Sequence, residues 1–145
     1  MIDFIENNNI LNSNQFGFRK GLSTESAIIQ FINNIHNGLN KRRHTIAIFM
    51  DLSKAFDVLN HNILFEKLEH YGFRGKFLDL LTSFVSNRKY FVSANGLTSD
   101  IKTVNIGVPQ GSTLGPLLFL LYINDMCNSS SILNFSQFAD GSGVC

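Results

Sequence analysis

The sequence predicts an α+β fold, and three observations support this prediction. Apolar residues recur at helical spacing in some segments, whereas other apolar runs are short and continuous, as in buried strands. The helical and strand-like segments follow one another without the regular alternation of a doubly wound sheet. Asn95 and Gly96 stand between two β-prone segments, and this pair is a strong signal for an antiparallel hairpin.

The size and composition are those of one folded domain. The chain has 145 residues, of which 44% are hydrophobic and 16% are charged, and these values argue against disorder. The net charge is only +1, so any binding of nucleic acid would depend on local basic clusters. The cysteines, Cys127 and Cys145, are too few for a disulfide scaffold or a four-ligand zinc site.

Nothing in the sequence indicates a membrane or secreted protein. The longest apolar run, residues 117–123, is far shorter than the roughly 20 residues that a membrane span needs. The first residues carry Asp3 and Glu6 and do not resemble a secretory signal. We therefore expect an intracellular protein of the nucleus or cytoplasm that has no membrane partner.

The N-terminal part is predicted to contain two helices separated by a loop. The first helix is expected over residues 3–11, and the loop over residues 12–22. Ser23 or Thr24 can cap the second helix, because a hydroxyl at that position accepts a hydrogen bond from the first turn. This helix is expected to end near residues 38–40, and we expect its apolar stripe to pack into the core. The stripe consists of Ala27, Ile28, Phe31, Ile32, Ile35 and Leu39.

The middle of the chain is predicted to hold a strand, two helices and a hairpin. Residues 45–50 are nearly all apolar, as in a strand that is covered on both faces. Helices are expected over about residues 61–71 and 75–86. Residues 89–94 and 101–106 are expected to pair, with a connection longer than two residues.

The C-terminal part is predicted to run from a loop through a helix into a final strand. The helix is expected over residues 117–126, with Pro116 in its first turn, where a missing N–H costs little. The last strand is expected over residues 132–138. A turn at residues 139–142 would leave only residues 143–145 for the return strand.

The strands at residues 45–50 and 132–138 each lead to an aspartate, Asp51 in the first case and Asp140 in the second. If the two strands lie side by side, about 4.8 Å apart, the carboxylates lie within a few ångströms of each other. Such a pair repels unless a cation sits between the two groups. Paired carboxylates are the usual protein part of sites for divalent metals and phosphate chemistry. Spacing alone leaves open that Asp51 caps the following turn and that Asp140 is simply the tip of a tight turn.

A third segment has an irregular composition. Gly107-Val108-Pro109-Gln110-Gly111-Ser112 contains backbone-fixing residues and a glutamine that can both donate and accept hydrogen bonds. By itself this segment is better explained as an ordinary turn before a helix.

Five segments taken together resemble the reverse transcriptase family, specifically the polymerases of non-LTR (LINE-type) retrotransposons. Their order and spacing along nearly the whole chain make the resemblance specific. The segments are Gln15-Phe16-Gly17-Phe18-Arg19-Lys20-Gly21-Leu22-Ser23-Thr24, similar to a fingers motif; residues 49–57, similar to motif A; residues 59–73, similar to the segment after motif A; residues 107–125, similar to motif B; and Phe138-Ala139-Asp140, similar to motif C.

The resemblance implies a fragment of a right-hand polymerase, with fingers and an antiparallel palm sheet packed by helices, and with the thumb absent. Residues 1–44 would be a fingers portion. Residues 45–145 would be a palm-like portion with inserted fingers elements, cut just after motif C. The implied activity is RNA-directed DNA polymerisation, with an RNA template, a DNA primer and a dNTP as partners.

The resemblance also implies the metal ligands. Asp51 and Asp140 would be the catalytic carboxylates, and they would hold two Mg²⁺ ions, or Mn²⁺, together with the backbone carbonyl of Leu52.

Further residues would meet the nucleotide. By resemblance, Phe56 would lie under the sugar and select deoxynucleotides, whereas Asp57 would be structural. The residues implied at the incoming nucleotide, the triphosphate or the template are Ala55, Phe56, Gln110, Gly111, Arg19 and Lys20.

The chain departs from the family pattern at one position. The family has two adjacent aspartates in motif C, and Gly141 stands at the second of these positions. The alternative function is therefore a catalytically inactive retrotransposon remnant, or a non-enzymatic fragment that binds RNA or another partner. In either case we expect poor solubility of the isolated chain, because an exposed strand edge and apolar surface favour association.

Two basic clusters outside these motifs have alternative interpretations. Lys41-Arg42-Arg43 lies between the second predicted helix and the first predicted strand and is explained as a set of solvated charges or as a local basic cluster with a role in binding. Arg88 and Lys89 precede the predicted hairpin, and the resemblance places a basic spot there that would meet backbone phosphate.

Overall fold

The computed structural model describes all 145 residues and confirms an α+β fold with antiparallel sheets. The helices are α1 (Ile2–Asn7), α2 (Thr24–Asn40), α3 (His61–His70), α4 (Gly75–Val85), α5 (Leu114–Ile123) and a 3₁₀ helix (Asn124–Ser129). The strands are β1 (Ile48–Asp51), β2 (Arg88–Tyr90), β3 (Ser93–Ala94), β4 (Leu97–Thr98), β5 (Lys102–Val104), β6 (Phe135–Phe138) and β7 (Gly141–Val144). None of these helices combines the length and the apolar character needed to cross a membrane.

The chain divides into two compact units. The first unit contains Met1–Ser53 and Ile123–Cys145, and the second contains Lys54–Tyr122.

The first unit is built on a three-stranded antiparallel sheet in the order β1-β7-β6. Its return strand, β7, begins at Gly141 and pairs along its full length with both neighbours, so it is longer than the sequence predicted. β7 lies between β1 and β6, so the condition that these two strands lie side by side is not met. Because both are antiparallel to β7, β1 and β6 run in the same direction and end at the same edge of the sheet.

Helix α2 packs across this sheet. The Ser23 hydroxyl accepts a hydrogen bond from the Ser26 amide at 3.3 Å, which confirms the predicted cap. Farther along, the Ser136 hydroxyl of β6 donates to the Ala27 carbonyl at 3.0 Å. The Phe31 ring lies 5.1 Å from the ring of Phe49 in β1.

The predicted burial of the α2 stripe and of β1 is wrong. Ile28, Ile32 and Leu39 are 56%, 46% and 59% exposed, and only Ala27 of the stripe is buried. All of β1 is exposed as well. The cause is the small extent of the sheet, which is three strands wide and covers only part of α2. As the edge strand, β1 has a partner on one side only.

Helix α1 ends earlier than predicted, at Asn7 instead of Leu11. The helix ends because Asn9 has a left-handed φ of 50° and the Ile10 amide then donates back to the Ile5 carbonyl at 3.0 Å. The Asn124 side chain fixes the loop that follows, since its amide donates to the Ile10 carbonyl and its oxygen accepts from the Asn12 amide, both at 2.7 Å.

The loop after α1 docks on the free edge of β6. The Phe16 amide donates to the Gln137 carbonyl, and the Gln137 amide donates to the Asn14 carbonyl, each at 2.8 Å. Gln15 thereby forms a parallel bridge with Gln137.

The second unit contains α3 and α4, and both helices confirm the sequence predictions. Asn60 caps α3, since its side-chain oxygen accepts from the amides of Asn62 at 2.9 Å and Ile63 at 3.3 Å. The core of this unit consists of side chains that are almost fully buried, among them Leu59, Leu64, Leu68, Leu81, Val85, Leu118, Phe119, Leu120 and Leu121.

The predicted hairpin forms in two pieces. β2 pairs with β5, and β3 pairs with β4. Asn95 and Gly96 have φ values of 52° and 76°, which fits a two-residue type I′ turn. The expected longer connection is therefore wrong, because residues 97–98 form a strand of their own.

Helix α5 begins before the predicted position. The Ser112 hydroxyl accepts from the Gly115 amide at 3.0 Å and so caps the first turn, which contains Pro116. Strand β6 begins at Phe135, three residues later than predicted.

Candidate active site

Asp51 and Asp140 lie at the same edge of the first unit's sheet. Asp51 is the last residue of β1 and faces Gly141 of β7 in the strand register. Asp140 immediately precedes Gly141 in the turn between β6 and β7. Asp51 is exposed and Asp140 is partly exposed. The ion pair of this unit, between Arg19 and Glu6, involves neither carboxylate.

This arrangement fits a divalent cation in its donor chemistry. Carboxylate and carbonyl oxygens are the hard ligands that Mg²⁺ and Mn²⁺ prefer, and water completes the coordination in many such sites. Leu52 directly follows β1, so its carbonyl is the backbone oxygen that would be available next to Asp51. No cluster of three or more histidine, cysteine or acidic side chains is placed to hold a metal.

The turn that carries Asp140 has an unusual backbone. Ala139 is buried and has a φ of 56°, in the left-handed region that costs a residue with a side chain about 1–2 kcal/mol. Its backbone is held by Gln15, whose side-chain oxygen accepts from the Ala139 amide at 3.1 Å. The Gln15 amide donates back to the Ala139 carbonyl at 3.4 Å.

The sequence analysis missed Gln15 and Gly17 as site residues. Gly17 lies so close to the turn that a Cβ there would be 2.2 Å from the Ala139 nitrogen. Their only signal in the sequence is that both belong to the Gln15–Thr24 segment that resembles a fingers motif. Nothing in local spacing connects that segment to residue 139.

Arg19 and Lys20 belong to the same segment of the first unit. The Arg19 guanidinium pairs with Glu6 at 3.1 Å and donates to the Asn12 carbonyl at 3.1 Å. A weaker bond reaches the Gln15 carbonyl at 3.4 Å. Arg19 thus stabilises the N-terminal loop, whereas Lys20 is exposed.

The second unit gathers three of the predicted nucleotide residues around one cavity. Phe56, Gln110 and Gly111 line this cavity of about 220 Å³ together with two prolines. The Phe56 ring is held against Phe119 with 4.5 Å between the ring centres. Ala55 is only 5% exposed, so its methyl group belongs to the core.

Asp57 is hydrogen-bonded as predicted for a structural residue. Its carboxylate accepts a hydrogen bond from the Gln110 side-chain amide at 2.7 Å. This bond joins the segment similar to motif A to the segment similar to motif B.

Gly107 forms a second connection between these two segments. Its φ is 76°, and a Cβ there would lie 2.7 Å from the Asp57 carbonyl oxygen. The Gly107 amide donates to the Leu59 carbonyl at 2.6 Å. Its carbonyl oxygen lies 2.7 Å from His61 Nε2 and accepts from Arg88 at 3.3 Å. Arg88 therefore has a structural role in the second unit.

Comparison with known proteins agrees with the motif pattern. The family model described as reverse transcriptase (RNA-dependent DNA polymerase) matches residues 1–142. The RNA-directed DNA polymerase from mobile element jockey of Drosophila funebris is 32% identical over 123 residues, which are 85% of this chain and 13% of that protein. The probable RNA-directed DNA polymerase from transposon X-element of Drosophila melanogaster is 32% identical over 126 residues, or 87% of this chain and 14% of that protein. The chain thus spans about one seventh of each relative.

Solved structures show the same fold at low sequence identity. A telomerase from Candida albicans, in complex with a fragment of telomeric RNA, has a TM-score of 0.71 at 13% identity. The match covers 99% of this chain and 29% of the telomerase chain. An apo telomerase from Candida tropicalis has a TM-score of 0.67 at 14% identity, and the match covers 99% of this chain and 31% of the telomerase chain.

The resemblance to polymerases of non-LTR retrotransposons is thereby confirmed. The family match covers nearly all of the sequence, and the two relatives from Drosophila are polymerases of mobile elements at 32% identity. The chain belongs to the reverse transcriptase family.

Proposed function

We propose that this chain supplies the catalytic carboxylates of an RNA-directed DNA polymerase, which joins a dNTP to a primer 3′-hydroxyl on an RNA template. The observation that supports the proposal is the register of the sheet, which sets Asp51 opposite Gly141, the residue that follows Asp140. In this proposal, residues 1–44 belong to the fingers, and residues 45–145 form a palm-like portion with inserted fingers elements.

Asp51 and Asp140 act by holding divalent cations, with the Leu52 carbonyl as a further ligand. Two like charges at one edge, without a basic side chain to neutralise them, favour a bound cation. When bound, Mg²⁺ or Mn²⁺ ions supply activation of the primer hydroxyl and neutralisation of the pyrophosphate that leaves. The protein's own contribution is to fix the oxygen ligands on a rigid sheet edge.

The cavity of the second unit receives the nucleotide in this proposal. The Phe56 ring is held by Phe119 and cannot easily move aside for a 2′-hydroxyl, so deoxynucleotides are selected. The bond from the Gln110 amide to Asp57 orients the Gln110 side chain beside Gly111. Buried Ala55 anchors the turn that presents Phe56.

Lys20 is the better candidate for a contact with triphosphate or template. It is exposed, whereas the guanidinium of Arg19 is occupied by Glu6 and by loop carbonyls. Arg19 then contributes by shaping the loop from which Lys20 projects.

Gly141 favours a second candidate function, in which the chain binds nucleic acid without catalysis. Glycine supplies no ligand at the position where the family has a second aspartate. The backbone does not require glycine here, because a Cβ at residue 141 would meet only the Phe138 carbonyl oxygen at an ordinary 3.5 Å. An aspartate is therefore sterically acceptable, and Gly141→Asp is a usable test.

Primer extension on an RNA template with Mg²⁺ tests the proposed function. We expect Gly141→Asp to extend the primer at least 10-fold faster than the parent chain, in line with typical losses when a group that supports a metal is missing. Adding Asp51→Asn to that variant must abolish extension, which also excludes a contaminating polymerase. RNA binding without any extension by Gly141→Asp would support the second candidate instead.

A further inference from the structure

We infer that Gln15 is a positioning residue for Asp140, and this inference rests on the proposed role of Asp140 as a metal ligand. The Gln15 side chain is 1% exposed and binds both backbone groups of Ala139, the residue immediately before Asp140. Its oxygen also accepts from the Gly17 amide at 2.8 Å. All three hydrogen bonds of this amide group go to backbone atoms, which restricts its rotation.

The backbone of Ala139 determines where the Asp140 carboxylate lies. The left-handed φ of 56° at Ala139 is disfavoured for an alanine, so a neighbouring group must hold it in place. Gln15 satisfies the amide and the carbonyl of that same residue. Without these two bonds the turn loses its support from the loop, and the carboxylate that follows becomes less well placed.

The loop itself stays docked without the Gln15 side chain. Backbone bonds join Phe16 and Asn14 to Gln137, and these bonds do not involve any side chain. A substitution of Gln15 therefore removes the side-chain bonds that hold the turn and keeps the backbone bonds that attach the loop.

The test compares Gln15→Met with Gln137→Met by NMR. Both residues are buried glutamines of the same unit, but the Gln137 side chain bonds to Cys127 and Ser142, not to Ala139. We expect the Ala139 Cβ and Asp140 amide resonances to move away from their parent positions in Gln15→Met only. Resonances of Ala139 and Asp140 that stay unchanged in Gln15→Met would overturn the inference.

Mn²⁺ affinity measured by electron paramagnetic resonance supplies the functional readout. We expect Gln15→Met to weaken Mn²⁺ binding by 10-fold or more, as for other groups that orient metal ligands, and Gln137→Met to leave it within 2-fold, on the order expected for a remote site. If both variants lose thermal stability to the same extent and bind Mn²⁺ as tightly as the parent chain, Gln15 has a structural role only. A parent chain that binds no Mn²⁺ would refute the proposed metal site, whereas the NMR comparison would still decide whether Gln15 fixes the turn.

Discussion

Individual residues at the Asp140 turn are constrained by close approach. The N-terminal loop lies so near the turn that residue 17 has no room for a side chain, whereas residue 141, at the other end of the turn, has room. Two glycines of the same unit thus differ in whether the backbone needs them.

Gly17→Ala should destabilise the protein by about 1–3 kcal/mol, the usual cost of forcing extra volume into a packed site. The added Cβ would lie 2.2 Å from the Ala139 nitrogen, so the loop would have to move off the turn. Gly141→Ala is the matched control and should be neutral, or stabilising by up to about 1 kcal/mol, because glycine weakens strands. Urea denaturation measures both, and equal effects of the two changes would contradict the close approach.

Cys127 predicts a pH dependence of stability. Burial raises the pKa of this thiol from 9.0 to about 11 in the folded protein. The folded state therefore keeps its proton when the unfolded state has lost it. The stabilisation is complete below pH 9.0 and is lost as the pH rises toward about 11.

Cys127→Ala should remove this part of the pH dependence. We expect the free energy of unfolding to fall less steeply across that pH interval in the variant than in the parent chain. Cys145, the other cysteine, is present in both proteins and cancels in the comparison. Parallel curves for the two proteins would show that the thiol titrates alike in the folded and unfolded states.

At the scale of helices and strands, local features were predictable from sequence and burial was not. Ser23 was predicted to cap α2, and α3 was predicted to begin near residue 61; a helix start depends mainly on residues within the next turn. The apolar stripe of α2 and strand β1 were expected to be covered. Their exposure depends on how wide the sheet is, and short apolar segments do not encode that width.

The candidate site shows the same division between local and distant information. Strands ending at Asp51 and Asp140 were visible in the sequence, and so was the tight turn after β6. Gln15 reaches that turn across 124 positions of the chain, and no periodicity links residues so far apart.

Asn60→Ala should destabilise the second unit by about 1 kcal/mol through loss of the α3 cap. The Asn60 oxygen satisfies two amides of the first turn, and alanine leaves both without a protein partner. Asn62→Ala is the matched control, because it removes an exposed asparagine from the same turn and leaves the Asn60 cap in place. A chemical denaturation series should separate the two variants, and indistinguishable midpoints would show that the cap contributes nothing.

At the scale of the whole chain, exposed apolar surface should dominate solution behaviour. Ile48, Phe49 and Met50 of edge strand β1 are 53%, 75% and 43% exposed. An exposed apolar edge strand offers unpaired backbone groups to a second chain and promotes association. We therefore expect the parent chain to aggregate at moderate concentration.

Ile48→Lys should reduce this association, because a charged edge strand resists pairing. Ile132→Lys is the matched control, since Ile132 is more exposed, at 86%, but lies outside the strands. Static light scattering should show a clear fall in apparent molecular mass for Ile48→Lys and a smaller fall for Ile132→Lys. An equal fall in apparent mass for both variants would mean that added charge, not the strand edge, governs association.

Mn²⁺ binding to the isolated chain tests the central claim most directly, namely that Asp51 and Asp140 form one divalent metal site. Electron paramagnetic resonance should detect bound Mn²⁺ in the parent chain, and Asp57→Asn should retain it, because Asp57 is hydrogen-bonded in the other unit. Asp51→Asn and Asp140→Asn should each weaken binding by at least 10-fold, on the order of a lost ligand contribution. Unchanged Mn²⁺ affinity in both of these variants would contradict the account.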